Sequence, residues 1–355
     1  MKVLVIGSGI VGLSTALELA LAGHSVRVIT RNYEEGSSWV AGGMLAPFSE
    51  MLMGDLLDFS LLSLDLYDDY VKRLEEVSRV SLFYEGSSAI LRLALTPEER
   101  ESLEEYARKV EEKGFSVVRL TEAEAREAEP HLGKGVEGAY IFEQEGNVDA
   151  ERLMDALLFA MENLKVKIEV DDIYKVSLKD RAVGAVVGYK KEYHADFYVL
   201  APGAWARSLM DVPVYPNKGQ ILRAKGVEIS RVIFSGRAYI IPKDGYLLVG
   251  ATSEDAGFDT RVTLEGARTL TSGALDVVPA LADAELVSIR TGFRPATPDE
   301  KPVFDLGDNY ALLTGHYRNG ILWAPATAKM VLDYLETSEV SPYFRVFSPS
   351  RFASE

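Results

Sequence analysis

Lys2-Val3-Leu4-Val5-Ile6-Gly7-Ser8-Gly9-Ile10-Val11-Gly12 opens the chain, and its reading decides the fold. Lys2 to Ile6 is short, apolar, β-branched and ended by glycine, which predicts a buried strand. Ile10 to Ala22 has helical periodicity, with Leu13, Leu17 and Leu21 four apart, and Gly23 suits the position after a helix end. Ser25 to Thr30 predicts a second strand. A strand, a helix and a strand within about thirty residues form a βαβ unit. G-x-G-x-x-G at the first turn of such a unit is the fingerprint of a dinucleotide site. Gly7 permits the tight turn, Gly9 lets the backbone approach a pyrophosphate, and Gly12 lets the helix pack closely on the strand. The amides at Ile10 and Val11 sit at the positive end of the helix, where phosphates bind.

One position departs from this pattern. The end of the second strand usually offers Asp or Glu to the adenosine ribose; here Thr30 and Arg31 stand there. A Thr30 hydroxyl can still bond a ribose hydroxyl, and Arg31 can stack on adenine or pair with a phosphate.

The next segment separates a flavin from a nicotinamide cofactor. Gly36-Ser37-Ser38-Trp39-Val40-Ala41-Gly42-Gly43-Met44-Leu45-Ala46-Pro47 is rich in small residues where a nicotinamide fold would continue to another helix and strand. Small residues let backbone amides come close to a bulky planar ring system. Far downstream, Tyr198-Val199-Leu200-Ala201-Pro202-Gly203 is a strand that returns the chain to the cofactor through Ala201 and Gly203. Together these segments favour FAD, with Ser37, Ser38, Ala41, Gly42, Gly43 and Met44 as contacts.

Composition bounds the rest. The 355 residues carry 38 Lys and Arg against 54 Asp and Glu, a formal net charge of −16, with no cysteine. The length suits about two domains. The absence of cysteine removes disulfides, thiolate metal sites, cysteine nucleophiles and a thioether-tethered flavin, and no metal site is expected. The acidity argues against nucleic acid or an anionic membrane as partner. Met51 to Tyr70 is rich in Leu but broken by Asp55, Asp58, Asp65, Asp68 and Asp69, so no membrane span is expected. The start lacks a signal-peptide pattern, and a soluble cytoplasmic protein is the expectation. Six Asn and two Gln, with no Cys, give a weak thermophile signal, which eight Met cut against.

Residues 55–80 and 97–113 read as amphipathic helices, Thr121 to Glu124 as a capping box, and Asp149 as the cap of a helix through Met161. Strands are predicted over 166–170, 173–178, 182–187 and 197–200, and the middle from Val214 to Arg294 reads as strand-rich. Tyr310 to Thr314 predicts a last strand before a helix over 321–335. The fold class is thus α/β plus α+β: a Rossmann-like FAD-binding domain of glutathione-reductase type interleaved with a β-rich substrate domain. Approximate divisions are 1–80, 145–213 and 296–355 for the first, and 81–144 and 214–295 for the second.

Six further segments carry a resemblance. They are Ala41-Gly42-Gly43-Met44-Leu45, Ala238-Tyr239-Ile240-Ile241-Pro242, Leu248-Val249-Gly250-Ala251-Thr252, Thr291-Gly292-Phe293-Arg294-Pro295, Gly315-His316-Tyr317-Arg318-Asn319-Gly320-Ile321-Leu322 and Ala324-Pro325-Ala326-Thr327-Ala328. Over essentially its whole length the chain resembles the D-amino-acid oxidase superfamily and, within it, the glycine oxidase group linked to thiamine thiazole synthesis. The resemblance implies non-covalent FAD and oxidation of glycine, sarcosine or small D-amino acids by hydride transfer from Cα to flavin N5. Products would be the 2-oxo acid, ammonia or an amine, and hydrogen peroxide, with oxygen as second substrate. A dehydrogenase of the same fold, passing electrons to another acceptor as D-amino-acid or proline dehydrogenases do, is the alternative. The group also implies a homo-oligomer, a tetramer.

Residue by residue, the resemblance assigns the substrate carboxylate to Arg294, whose planar fork suits bidentate binding. It brings Tyr239 and Arg318 to the substrate. Ser253 and Arg237 depart from the family at pocket positions and put the side-chain preference in doubt. The cofactor set extends to Ile173, Trp205 and the run His316, Tyr317, Arg318, Asn319, Gly320, Ile321 and Leu322. No acid–base residue is required if the amine arrives neutral. His24 is the one histidine held open as a flavin tether.

Overall fold

The computed structural model describes residues 1–33 and 36–353. Strand Lys2–Ile6 lies at the centre of a six-stranded sheet. Its order is Val303–Leu306, Tyr310–Thr314, Phe197–Leu200, Lys2–Ile6, Ser25–Thr30 and Lys167–Val170. All neighbours are parallel except the Val303–Leu306 edge strand. Helix Ile10–Leu21 crosses between the first two strands and is buried along most of its length, as its apolar spacing requires. Gly23 follows it at φ +86°.

The second large sheet has eight strands, ordered Glu285–Ala296, Tyr215–Lys225, Tyr246–Gly250, Tyr239–Lys243, Val232–Phe234, Ile90–Ala94, Gly138–Phe142 and Val117–Leu120. Its pairs are antiparallel except Val232–Phe234 with Ile90–Ala94. A three-stranded antiparallel sheet, 173–193, packs on the first, with Ile173, Val183, Val186 and Tyr193 in one core with Leu4, Ile6 and Leu200. Among the described residues no helix is long and apolar enough to cross a membrane.

Local signals set several boundaries as expected. Thr96 accepts from the Glu99 amide at the start of helix Pro97–Glu112. Thr121 and Glu124 complete a capping box, and the Asp149 carboxylate accepts from the amides of Glu151 and Arg152.

Two readings are corrected. Residues 55–80 form two helices, Gly54–Asp65 and Tyr67–Ser78, broken at Leu66. Residues on either side of the break bond helix Gly320–Thr337, which contains Pro325. Proline lacks the amide that would bond the Ile321 carbonyl; the Tyr67 hydroxyl donates to that carbonyl instead, at 2.8 Å. One turn on, Ser63 Oγ donates to Leu322 O at 2.6 Å and accepts from the Ala326 amide at 3.2 Å. Ser63 and Tyr67, four residues apart, share one face, and their bonds tie the start of the long helix to this helix pair.

The second correction is helix Leu264–Val277, inside the stretch read as strand-rich. Gly266 and Gly273 weaken its helical signal, and Leu264 at its start is 92% exposed. Both glycines are packing positions. A Cβ on Gly266 would lie 2.2 Å from Gln220 Nε2, and one on Gly273 would lie 2.7 Å from Arg237 O.

Candidate active site

A single cavity of about 700 Å³ runs from the glycine turn of the first sheet to the face of the second. Every residue singled out above as a cofactor or substrate contact lines it except Leu322. Leu322 is fully buried in the hydrophobic core beside the helix start, with its carbonyl committed to Ser63, so it is corrected to a core residue. His24 lies outside the lining, its Nε2 2.8 Å from Glu336 Oε1 beyond the far end of the first helix.

At one end the glycine turn is shaped by close approach. Gly7 has φ +110°, and a Cβ there would fall 2.1 Å from Ala201 O. A Cβ on Gly12 would fall 2.0 Å from Gly7 O. Gly9 has only Ser38 Oγ within 4 Å of such an atom, at 3.6 Å, and it lines the cavity. Ser38 Oγ accepts from the Ile10 amide at 3.0 Å, and the first helical turn holds no acidic residue. The positive end of the helix is therefore left for an anion. Thr30 Oγ1 donates to Asn32 O at 3.0 Å and lies 2.7 Å from Ser8 Oγ. With its proton committed, Thr30 can only accept from a further hydroxyl. The Arg31 guanidinium lies over the Trp205 ring at 5.4 Å, and Trp205 stacks on Phe258.

At the other end, Arg294 comes from strand Glu285–Ala296. Its guanidinium lies flat over Gly219, where a Cβ would be 2.5 Å from Nη1. Nη1 donates to Asn217 Oδ1 and Thr252 O, both at 3.1 Å. A buried network holds the loop that carries Thr252. Lys218, 1% exposed, lies 3.3 Å from Glu254 Oε2, and Glu254 accepts from Gln220 Nε2 at 2.7 Å and Thr252 Oγ1 at 2.6 Å. Tyr239 lies across Gly250, where a Cβ would be 2.3 Å from its hydroxyl. Burial pushes the Tyr239 phenol above its ordinary value, although Arg294 beside it pulls the other way, so it stays a neutral donor. Asn217 Nδ2 donates to Ser253 Oγ at 3.1 Å, which places Ser253 at the pocket rim behind Arg294. Arg237 lines the rim, with its guanidinium turned to Asp276 at 2.6 Å.

Between the two ends lies the turn before helix Gly320–Thr337. His316 is buried, and burial pushes its imidazole down to about 3. Thr327 Oγ1 donates to Trp323 O at 2.7 Å, so it accepts from His316 Nε2, 3.2 Å away, which assigns the proton of the neutral ring to Nε2. Arg318 lies over the Tyr317 ring at 5.0 Å, and its Nη1 is 3.7 Å from Glu50 Oε2.

Glu50 and its support are the parts that sequence reasoning missed. Glu50 lines the cavity, and burial raises its carboxyl pKa against the pull of Arg318, Arg92 and Arg294. Behind it Glu145 is fully buried. Its Oε1 accepts from the amides of Phe48 at 2.7 Å and Ser49 at 2.6 Å, and its Oε2 is in hydrogen-bond contact with Ser49 Oγ. Burial pushes Glu145 up to about 8, against those donors. Between the ordinary carboxyl range and about 8, the folded protein keeps a proton that the unfolded chain has released. Stability therefore falls as pH rises through that window and levels off above it. Glu145→Gln keeps the contacts without the proton. Its unfolding free energy should gain on the parent's from about pH 5 to about pH 8, by an amount on the order of a few kcal/mol, seen as a rising difference in melting temperature. Parallel melting curves for the two proteins over that range would contradict this.

The comparisons with known proteins agree with this geometry. The family model described as FAD dependent oxidoreductase matches residues 2–334. The chain belongs to that family, and its cofactor is FAD. It is 31% identical to a glycine oxidase of Geobacillus kaustophilus over 98% of this chain and 96% of the relative. The crystal structure of glycine oxidase from that organism superposes with a TM-score of 0.93, covering 99% of this chain and 100% of the other at 29% identity. The bifunctional protein ThiO/ThiG of Synechocystis is 35% identical over 99% of this chain but only 54% of its own length, so the chain spans about half of that relative. A crystal structure of iminodiacetate oxidase from Chelativorans superposes with a TM-score of 0.87 at 26% identity, covering 98% of each chain.

The residues present fit FAD. The cavity volume lies within the range of cofactor-sized sites, about 300–1,000 Å³. Gly7 and Gly12 leave no room for a Cβ, while Gly9 and the start of the helix, with no acidic residue in its first turn, line the cavity. Its parallel-sheet FAD domain and mixed-sheet second domain are the fold of the glycine oxidase structures.

Proposed function

We propose that the chain oxidises glycine, sarcosine or small D-amino acids to the 2-oxo acid and ammonia or amine, with oxygen reduced to hydrogen peroxide. The observation that carries this reading is Arg294. It lines the cavity wall, held by two neutral oxygens, at the end opposite the glycine turn. A guanidinium so placed binds a carboxylate in a fixed orientation. The glycine oxidases that the chain resembles over nearly its whole length support the same reading.

FAD, when bound, supplies a two-electron acceptor for the substrate Cα–H. The chain's own residues bind and orient. Arg294 takes the carboxylate, and the neutral Tyr239 hydroxyl lies within its reach to donate to it. The lining between Gly42 and Tyr239 is tight: a Cβ on Gly42 would fall 2.6 Å from Ile241 Cδ1. Such walls exclude water around the reacting carbon. His316 stays neutral throughout the physiological range and brings no proton to the substrate. An amine that arrives unprotonated needs no base. The division into an FAD-binding part, approximately 1–80, 145–213 and 296–355, and a substrate part, 81–144 and 214–295, belongs to the same proposal.

The products test it. In air, each equivalent of amine consumed should yield one of 2-oxo acid and one of peroxide. Amine oxidation without peroxide would assign the electrons to another acceptor, as in a dehydrogenase. No turnover of any member of the panel would overturn the substrate class.

A further inference from the structure

We propose that Glu50 determines specificity: by occupying Arg318 it restricts the pocket to amino acids with a single carboxylate. This rests on the amino-acid-oxidising function proposed above. Besides Arg31, which lies over Trp205, and Arg237, which is paired with Asp276, the cavity is lined by Arg294 and Arg318, each with the fork that clamps a carboxylate. Their surroundings differ. Arg294 is held by neutral oxygens, Asn217 Oδ1 and Thr252 O. Arg318 faces a carboxylate, with Nη1 3.7 Å from Glu50 Oε2. That spacing is a charge contact and not a hydrogen bond.

Glu50 is held in place by its backbone. The Glu50 amide donates to Ala46 O at 2.9 Å. The two residues before it, Phe48 and Ser49, donate their amides to the buried Glu145, and Arg92 Nε donates to Ser49 O at 3.2 Å. The loop 46–51 is thus pinned on both faces and presents one acidic side chain to the cavity. A substrate whose second carboxylate reaches toward Arg318 meets Glu50 there. It meets like charge, and an arginine whose charge is already answered. A substrate with one carboxylate binds at Arg294 and makes no such demand. With a neutral amide at position 50, Arg318 becomes a second carboxylate clamp.

Methoxyacetate and diglycolate are the probes. They are ethers with one and two carboxylates and no oxidisable amine, so they report binding without turnover. Each is titrated into the FAD-loaded protein and followed by perturbation of the flavin absorbance. The native protein should bind methoxyacetate more tightly than diglycolate. Glu50→Gln should shift the ratio of the two dissociation constants toward diglycolate by at least about tenfold. Adding Arg318→Gln to it should remove that gain. Arg318→Gln alone, which leaves Glu50 unanswered, should move the ratio further against diglycolate, and this arm stands even if the Glu50 variant folds poorly. An unchanged ratio in Glu50→Gln, or equal weakening of both ligands in Arg318→Gln, overturns the specificity proposal provided methoxyacetate binding still depends on Arg294. Methoxyacetate binding that is indifferent to Arg294→Ala overturns the functional reading instead.

Discussion

Arg294→Ala should lower kcat/KM for the preferred amine by about thirty-fold to several thousand-fold, corresponding to about 2–5 kcal/mol. The loss comes from a desolvated, charge-assisted contact that fixes the substrate carboxylate and so aims Cα. FAD should stay bound, because Arg294 donates to Asn217 and Thr252 and lies at the opposite end of the cavity from the glycine turn. Arg294→Lys should recover only part of the loss, since an ammonium keeps the charge without the planar fork. The check is steady-state kinetics alongside the flavin content of the purified variants. Unchanged kcat/KM in Arg294→Ala would remove Arg294 from the substrate site.

The second large effect separates two glycines in one motif. Gly12→Ala forces a Cβ to within 2.0 Å of Gly7 O, backbone against backbone, with no flexible side chain to yield. Overpacking of this kind costs about 1–3 kcal/mol, or more where the backbone must move. Gly12→Ala should therefore lower the melting temperature of the FAD-free protein and impair FAD binding together. Gly9→Ala meets only Ser38 Oγ, at 3.6 Å. Its FAD-free form should melt like the parent, while FAD affinity falls because the added methyl sits where the pyrophosphate approaches. Melting curves with and without FAD, with the FAD dissociation constant by ultrafiltration, decide it. Equal behaviour of the two variants would contradict the separate roles given to these glycines.

Much of the fold was legible because its signals are local. The strand, glycine turn and helix over 2–21 depend on periodicity and on three residues without side chains. The caps at Thr96, Thr121 and Asp149 are satisfied within a few residues of themselves. What was not legible depends on partners distant in sequence. Ser63 and Tyr67, on either side of the break at Leu66, bond carbonyls in a helix that starts at residue 320. Helix Leu264–Val277 carries two glycines that read as loop until Gln220 and Arg237 are seen against them. Leu322 follows a run of cavity residues, yet the turn of the helix carries it into the core. In the site, the family motifs brought Arg294, Tyr239 and Arg318 into view, and the structure places all three on one cavity. Glu50 and Glu145 have no motif. An acidic residue reads as surface until burial and an arginine partner single it out, and here the loop 46–51 supplies both.

On the proposed function, this cavity takes two electrons from a small amino acid into FAD. The most direct test is an anaerobic titration of the FAD-loaded protein with glycine, sarcosine, D-alanine and D-proline, followed by the flavin absorbance. At least one of these amines should bleach the flavin completely, in a reaction that Arg294→Ala weakens. A flavin that keeps its oxidised spectrum with every member of the panel would contradict the account.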